Sequence, residues 1–68
     1  MTLDKAHELI AMHVSFGSGY NRHATRMILG EIMRDFGQAA VDQLIRDYGL
    51  TERWDFKEGV FYETPFKK

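Results

Sequence analysis

The spacing of the glycines is the feature that most constrains how this chain can fold. Gly17, Gly19, Gly37 and Gly49 divide the first part of the 68-residue sequence into three segments. Within each segment, apolar residues recur every three or four positions, which places them on one face of an α-helix. Glycine is disfavoured inside helices and favoured at the left-handed position that ends one. The sequence therefore predicts three helices, at about residues 2–14, 22–36 and 38–48, joined by short connections.

Helix-capping residues support these boundaries. Thr2 and Asn21 are residue types that cap helix N-termini, and Gly37 and Gly49 stand where the second and third helices should end. In the second helix the apolar spacing predicts a core-facing stripe, and two further apolar residues, Leu29 and Met33, extend to a neighbouring face. The predicted stripe consists of Ala24, Met27, Ile28, Ile32 and Phe36.

After the third helix the chain becomes rich in aromatic residues. Residues 53–63 alternate around Lys57-Glu58-Gly59, a triplet that suits a three-residue hairpin loop with glycine in the left-handed conformation. In that register Phe56 would face Val60, and Trp54 would face Tyr62. We therefore expect a mainly α protein. It would be a single domain over residues 1–68, a compact three-helix unit with a short C-terminal β-hairpin or an extended aromatic tail packed on the helices.

Charge and composition narrow the classes of function. The net charge is −1 and the pI about 6.3, whereas proteins that bind nucleic acid through its phosphates are normally basic. The chain contains no cysteine, so disulfides and thiolate zinc sites are excluded. It shows neither a secretory signal pattern nor an apolar run long enough to span a membrane. These observations predict a cytoplasmic protein that does not insert into membranes.

The sequence offers little support for catalysis or metal binding. His7, His13 and His23 are not separated by three or four residues, the spacing that places two ligands on one helical face. His13 lies on an apolar stripe, so we expect a packed histidine with one hydrogen bond. No nucleophile, base and acid converge in the sequence. We therefore expect no enzyme activity, no metal and no cofactor.

The Gly17-Ser18-Gly19 segment has two interpretations. Amide groups at a helix N-terminus bind anions, and Arg22 and Arg26 lie one turn apart just beyond the segment. A phosphate or another small anion could bind there. The alternative is a hinge, in which glycines end one helix and begin the next, and this is the reading that the sequence favours.

The predicted order of elements also resembles a winged helix, in which the third helix enters the DNA major groove and the hairpin forms the wing. Asp42 and Asp47 on the outer side of that helix would repel phosphates, so charge disfavours nucleic-acid binding although the order of elements allows it.

The chain contains more large apolar residues than a core of this size can bury, which suggests a protein interface. A domain of this length buries only about 60% of the surface that its unfolded chain exposes. Exposed apolar patches mark interaction sites, and methionine and aromatic residues are enriched there. Phe66 in the tail adds to this excess. The sequence predicts a small non-catalytic module that binds a protein partner or forms a homodimer, with interface residues Met12, Phe16, Leu29, Met33 and Phe61.

Overall fold

A computed structural model describes residues 1–63 of the chain, and this part is mainly helical. The four helices are α1 (Leu3–Phe16), α2 (Gly19–Phe36), α3 (Gln38–Tyr48) and α4 (Leu50–Trp54). Residues 55–63 follow α4 without regular secondary structure, and residues 1–63 contain no β-strand.

Local capping accounts for the ends of α1 and α3. The Thr2 hydroxyl oxygen accepts a hydrogen bond from the Lys5 amide at 3.1 Å, which fixes the start of α1. Gly17 ends this helix in the left-handed conformation, with φ of 71°, two residues later than the sequence predicts. The bounds of α3 agree with the prediction, and Gly49 ends it with φ of 59°.

The second helix begins three residues earlier than predicted because Ser18, not Asn21, is its N-cap. The Ser18 hydroxyl oxygen accepts from the Asn21 amide, and the Asn21 side-chain oxygen accepts from the Ser18 amide at 3.2 Å. This reciprocal pair is a capping box. The connection between α1 and α2 is therefore only two residues long, Gly17 and Ser18.

Polar contacts define how the first three helices are arranged. The terminal amine of Met1 forms an ion pair with Asp35 at 3.2 Å, so α1 and α2 run antiparallel. On another flank of α1, the His7 Nδ1 atom lies 2.9 Å from the Tyr48 hydroxyl of α3. All four helices and the segment after them contribute to one core: Ala6, Ile10, Ile28, Leu29, Ile32, Met33, Val41, Leu44, Ile45, Leu50, Phe56 and Tyr62.

The buried face of α2 differs from the predicted stripe. Leu29 is fully buried and Met33 is 8% exposed, whereas Phe36, expected in the core, is 48% exposed. Ala24 and Met27, also expected in the core, are half-buried. Helix α2 packs against α1 on one side and against α3 and the C-terminal segment on the other, so its buried face is wide. The spacing of apolar residues alone did not identify that face.

The predicted hairpin is not formed in the described residues. The first two of the predicted hairpin residues, 53 and 54, lie in the short helix α4, and Asp55 ends this helix in the left-handed conformation with φ of 64°. The Phe56 amide donates to the Leu50 carbonyl at 3.3 Å, and both side chains are buried in the core. Gly59 does adopt the predicted left-handed conformation, with φ of 78°. Phe66 lies outside the described residues.

Candidate protein-binding surface

Several large apolar side chains remain exposed on the folded chain. Tyr20 is 76% exposed, Phe16 72%, Phe61 68% and Met12 44%. The sequence predicted three of these four as interface residues. It missed Tyr20, which stands before the predicted start of α2. Phe36 and Val60 are also exposed.

Two of the predicted interface residues are not on the surface. Leu29 and Met33 pack in the core between helices, so they are unable to contact a partner while the domain is folded. Their assignment to an interface was wrong because it followed from the misplaced stripe on α2.

On α1 the exposed apolar residues form a stripe that faces away from α3. Leu9, Met12 and Phe16 are separated by three and four residues, which places them on one side of the helix. His7 lies on the opposite flank, where it contacts Tyr48 of α3 at ring centroids 5.7 Å apart. The stripe is therefore not covered by the third helix.

A matching stripe lies on α2. Tyr20, Ala24 and Met27 have the same helical spacing. Arg22 follows Tyr20 by two residues, so it lies nearly opposite Tyr20 on the helix. The contacts of Arg22 show which side of α2 faces the C-terminal segment. The Arg22 Nε–H group donates to the Trp54 carbonyl at 3.1 Å, and its guanidinium lies 4.9 Å from the Phe56 ring centroid. This second stripe also faces away from α3.

The two stripes combine into one apolar surface, because α1 and α2 pack side by side with α3 behind them. We refer to this surface as the outer face. Phe16 and Tyr20 lie near the connection between the helices, and the half-buried residues Leu9, Ala24 and Met27 lie further from that connection. No cavity indents the surface of residues 1–63, so the outer face is shallow. It consists of Leu9, Met12, Phe16, Tyr20, Ala24 and Met27.

Charges of both signs lie around the outer face. His23 is exposed beside it, Glu8 stands one turn before Met12 and Glu31 one turn after Met27. Arg26, one turn after Arg22, is exposed on the side of α2 that faces the C-terminal segment. Within residues 1–63, Arg26 is the one lysine or arginine without a hydrogen bond or ion pair. Each of the other lysines and arginines donates a hydrogen bond to a carboxylate, a backbone carbonyl or a side-chain amide oxygen. They are Lys5, Arg22, Arg34, Arg46, Arg53 and Lys57.

A buried polar network fixes the hinge between α1 and α2. The Ser18 amide is only a donor, so the Asn21 atom that faces it must be Oδ1, and Nδ2 must face His13. The Asn21 Nδ2 group therefore donates to His13 Nδ1 at 2.9 Å, and neutral His13 carries its proton on Nε2. His13 is a packed histidine with this hydrogen bond, as the sequence predicted. The network sets the angle at which α1 and α2 present the outer face.

The same contacts make the Gly17-Ser18-Gly19 segment a hinge. Gly17 ends one helix and Ser18 caps the next, and the Ser18 amide is occupied by Asn21. Arg22, one of the two predicted anion ligands, is occupied by Trp54 and Phe56. Arg26 is exposed one turn further along α2. Anion binding at this segment stays a prediction.

The outer side of α3 carries carboxylates, as the sequence indicated. Asp42 accepts hydrogen bonds from the Gly59 amide at 2.9 Å and from Gln38 at 2.8 Å, and these bonds lower the pKa of Asp42. Asp47 accepts from Gln43 at 2.7 Å. The strands that a wing requires are not formed in residues 1–63. The element order that suggested a winged helix is thus not that of the described chain.

Residues 1–63 contain no cluster of three or more histidine, aspartate or glutamate residues that could hold a metal ion. Of the histidines, His7 contacts Tyr48, His13 contacts Asn21 and His23 is exposed.

None of the helices in residues 1–63 combines the length and apolar character that crossing a membrane requires.

Compared with known proteins, the chain matches no family model, no curated protein and no solved structure. Inferences about its function therefore depend on its own surface.

Proposed function

We propose that this protein is a small non-catalytic cytosolic module that binds another protein through the outer face. The observation that carries the proposal is the exposure of Phe16 and Tyr20, at 72% and 76%, on one side of the α1–α2 pair. Large aromatic side chains dominate the energetics of protein interfaces, and methionine adapts to irregular partners. Two methionines, Met12 and Met27, lie on the same face as these aromatic residues.

The way the face is built also supports this proposal. Phe16 and Tyr20 are held at the ends of two helices by the buried hinge network, so their backbones are ordered before a partner arrives. Ordering in advance lowers the entropic cost of binding. The chain would thus contribute a rigid surface of two helices.

Photo-crosslinking from the centre of the face tests the proposal. Replacing Tyr20 with p-benzoyl-phenylalanine in the full chain, expressed in its own cells, should give a covalent adduct with a defined protein on illumination. The adduct should disappear when Phe16→Ser is added, because the neighbouring contact is lost. It should persist with Phe61→Ser, a change of the same kind at an exposed aromatic residue outside the face.

The outcome that contradicts the proposal is equally specific. If the Tyr20 probe gives no adduct, or gives one whose yield Phe16→Ser leaves unchanged, the outer face is not a binding surface. The helical circular dichroism of each variant should match that of the parent chain, since all the substituted residues are exposed.

A further inference from the structure

We infer that His13 is a pH-sensitive switch at the hinge between α1 and α2. When its imidazole ring gains a second proton, one hydrogen bond of the hinge must break, and the two helices lose their fixed connection. Phe16 and Tyr20 stand on either side of the hinge, so loosening it also changes how the outer face is presented. The response of the hinge to pH does not itself depend on the proposed binding function.

The hydrogen bonds of Asn21 leave no position for that second proton. Its Oδ1 atom accepts from both the amide and the hydroxyl of Ser18, which directs Nδ2 toward His13 Nδ1 at 2.9 Å. A protonated Nδ1 would then face Nδ2, and two donors do not form a hydrogen bond. Rotation of the Asn21 amide by half a turn would restore that contact, but it would place Nδ2 against the Ser18 amide and break the capping box. Protonation therefore removes one hydrogen bond of the hinge in either orientation.

The site is also unsuited to a positive charge. His13 is 8% exposed, and no ion pair among residues 1–63 includes it. A buried charge is strongly destabilising unless a partner of opposite charge accompanies it. The neutral ring fits the hinge, and the charged ring does not.

The charged groups on the elements around His13 have other partners or are exposed. On α2, Arg22 lies over the Phe56 ring, and on α3, Asp42 accepts from the Gly59 amide. The other paired groups are Met1 amine–Asp35, Lys5–Glu8, Glu31–Arg34, Arg34–Asp35, Arg46–Glu58, Asp55–Lys57 and Arg53 with the Tyr48 carbonyl. The remaining charged or titratable groups are exposed: Asp4, His23, Arg26, Asp47, Glu52 and Glu63. A charge on His13 thus gains no ion pair from residues 1–63.

His7 has the opposite arrangement and provides an internal comparison. The Tyr48 hydroxyl donates to the His7 carbonyl at 3.2 Å, so its oxygen accepts from His7 Nδ1 at 2.9 Å. Because that Nδ1 atom already carries a proton, a second proton on Nε2 leaves the contact intact. His23 is exposed on α2. Of the three histidines, His13 is therefore the one whose protonation breaks a hydrogen bond that the structure shows.

Removal of the ionisable ring tests the switch. A histidine in an unfolded chain gains its second proton near pH 6.5, whereas folded His13 gains it only with the loss of a hydrogen bond. The unfolded state thus binds more protons than the folded state, so stability should fall as the pH falls. From pH 7.5 to pH 5.5, we expect the unfolding equilibrium constant of the full chain, measured in urea, to rise about fivefold.

Three matched variants assign this change to one residue. His13→Gln replaces the ring with a neutral side chain whose oxygen accepts from Asn21 Nδ2, so its unfolding constant should change less than about twofold over the same interval. His7→Gln and His23→Gln remove the other two rings and should keep the change of the parent chain. Aspartate and glutamate ordinarily gain protons near pH 4, below this interval.

NMR spectra of the parent chain show whether the hinge itself responds. Between pH 7.5 and pH 5, the imidazole ¹⁵N resonances should show His13 gaining its second proton while the chain remains folded. The amide resonances of Ser18 and Asn21 should shift together with that titration. The amides of residues 43–46, in the middle of α3, should not follow it.

Three results would overturn the inference. A pH dependence in His13→Gln equal to that of the parent chain would assign the change to another group. An imidazole of His13 that stays neutral in the folded chain at pH 5 would mean that the switch does not operate. Protonation of His13 without a shift at Ser18 and Asn21 would mean that the hinge does not respond. The last two results come from the parent chain, so they hold even if His13→Gln fails to fold.

Discussion

Truncation of Asn21 tests the hinge that orients the outer face. Asn21 is 7% exposed, and its side chain forms hydrogen bonds with two groups that have no other partner in the network. Its Oδ1 atom accepts from the Ser18 amide at 3.2 Å, and its Nδ2 group donates to His13 Nδ1 at 2.9 Å. Asn21→Ala removes both contacts and leaves His13 Nδ1 without a partner.

The expected loss of stability can be estimated from these contacts. Loss of one half of a capping box costs about 1 kcal/mol. A buried acceptor left without its donor costs a further 1–3 kcal/mol or so. We therefore expect Asn21→Ala to lower the free energy of unfolding by about 2–4 kcal/mol. The total free energy of unfolding of a domain of this size is roughly 3–10 kcal/mol. Ser18→Ala removes the hydroxyl and keeps the His13 contact, so it should cost only about 1 kcal/mol.

Urea denaturation followed by circular dichroism measures both values. The midpoint should fall much further for Asn21→Ala than for Ser18→Ala, with similar slopes. The melting temperature of Asn21→Ala should decrease by about 8 °C or more. At a pH near 8, ¹⁵N NMR of the imidazole should place the His13 proton on Nε2.

Two results would refute this reasoning. One is a loss of less than about 0.5 kcal/mol in Asn21→Ala, which is within the usual range for surface substitutions. The other is an imidazole proton on Nδ1 of His13, which would mean that the amide of Asn21 is oriented the other way.

Three further predictions concern the core and acid stability. Leu29→Ala should lower the free energy of unfolding, measured in urea, by about 2–5 kcal/mol, because Leu29 is fully buried. Phe36→Ala, at a half-exposed site, should lower it clearly less. Equal losses would contradict the burial of Leu29. Thr25→Val should raise the unfolding free energy by about 1 kcal/mol, since the buried Thr25 hydroxyl has no hydrogen-bond partner among residues 1–63, and a destabilised variant would point to a partner for it. Asp42 has a lowered pKa in the folded state because the Gly59 amide and a glutamine side chain donate to it. Its contribution is therefore present above the ordinary aspartate pKa of about 4 and is lost as the pH falls through the lower folded-state pKa. Urea midpoints at pH 7 and pH 3 should accordingly differ less in Asp42→Asn than in the parent chain, and an unchanged difference would refute the assignment.

The ends of the helices could largely be predicted from the sequence because caps and left-handed glycines act over a few residues. Thr2, Gly37 and Gly49 occupy the predicted positions, and the bounds of α3 are as predicted. The start of α2 was misplaced because both Ser18 and Asn21 are capping residues. Only the reciprocal hydrogen bonds show that Ser18 is the cap and Asn21 its partner.

The candidate surface was only partly predictable. Met12 and Phe16 could be identified because α1 has a narrow buried face and they lie outside it. Tyr20 was missed because it precedes the predicted start of α2. Leu29 and Met33 were misassigned because apolar residues occupy more than half of the circumference of α2. Their spacing alone fits more than one rotation of the helix about its axis.

The sequence alone determined that the chain would be helical, where most of its helices end, and that no cysteine chemistry is available. Only the tertiary structure decided which side of α2 is buried, that Leu50–Trp54 form a helix and that residues 55–63 form no hairpin. The physical reason is the distance along the chain over which each interaction acts. Capping and glycine conformations depend on neighbouring residues, whereas burial depends on which helices pack on either side of a segment. For α2 those neighbours are α1 and α3 together with Phe56, and they leave the outer face exposed.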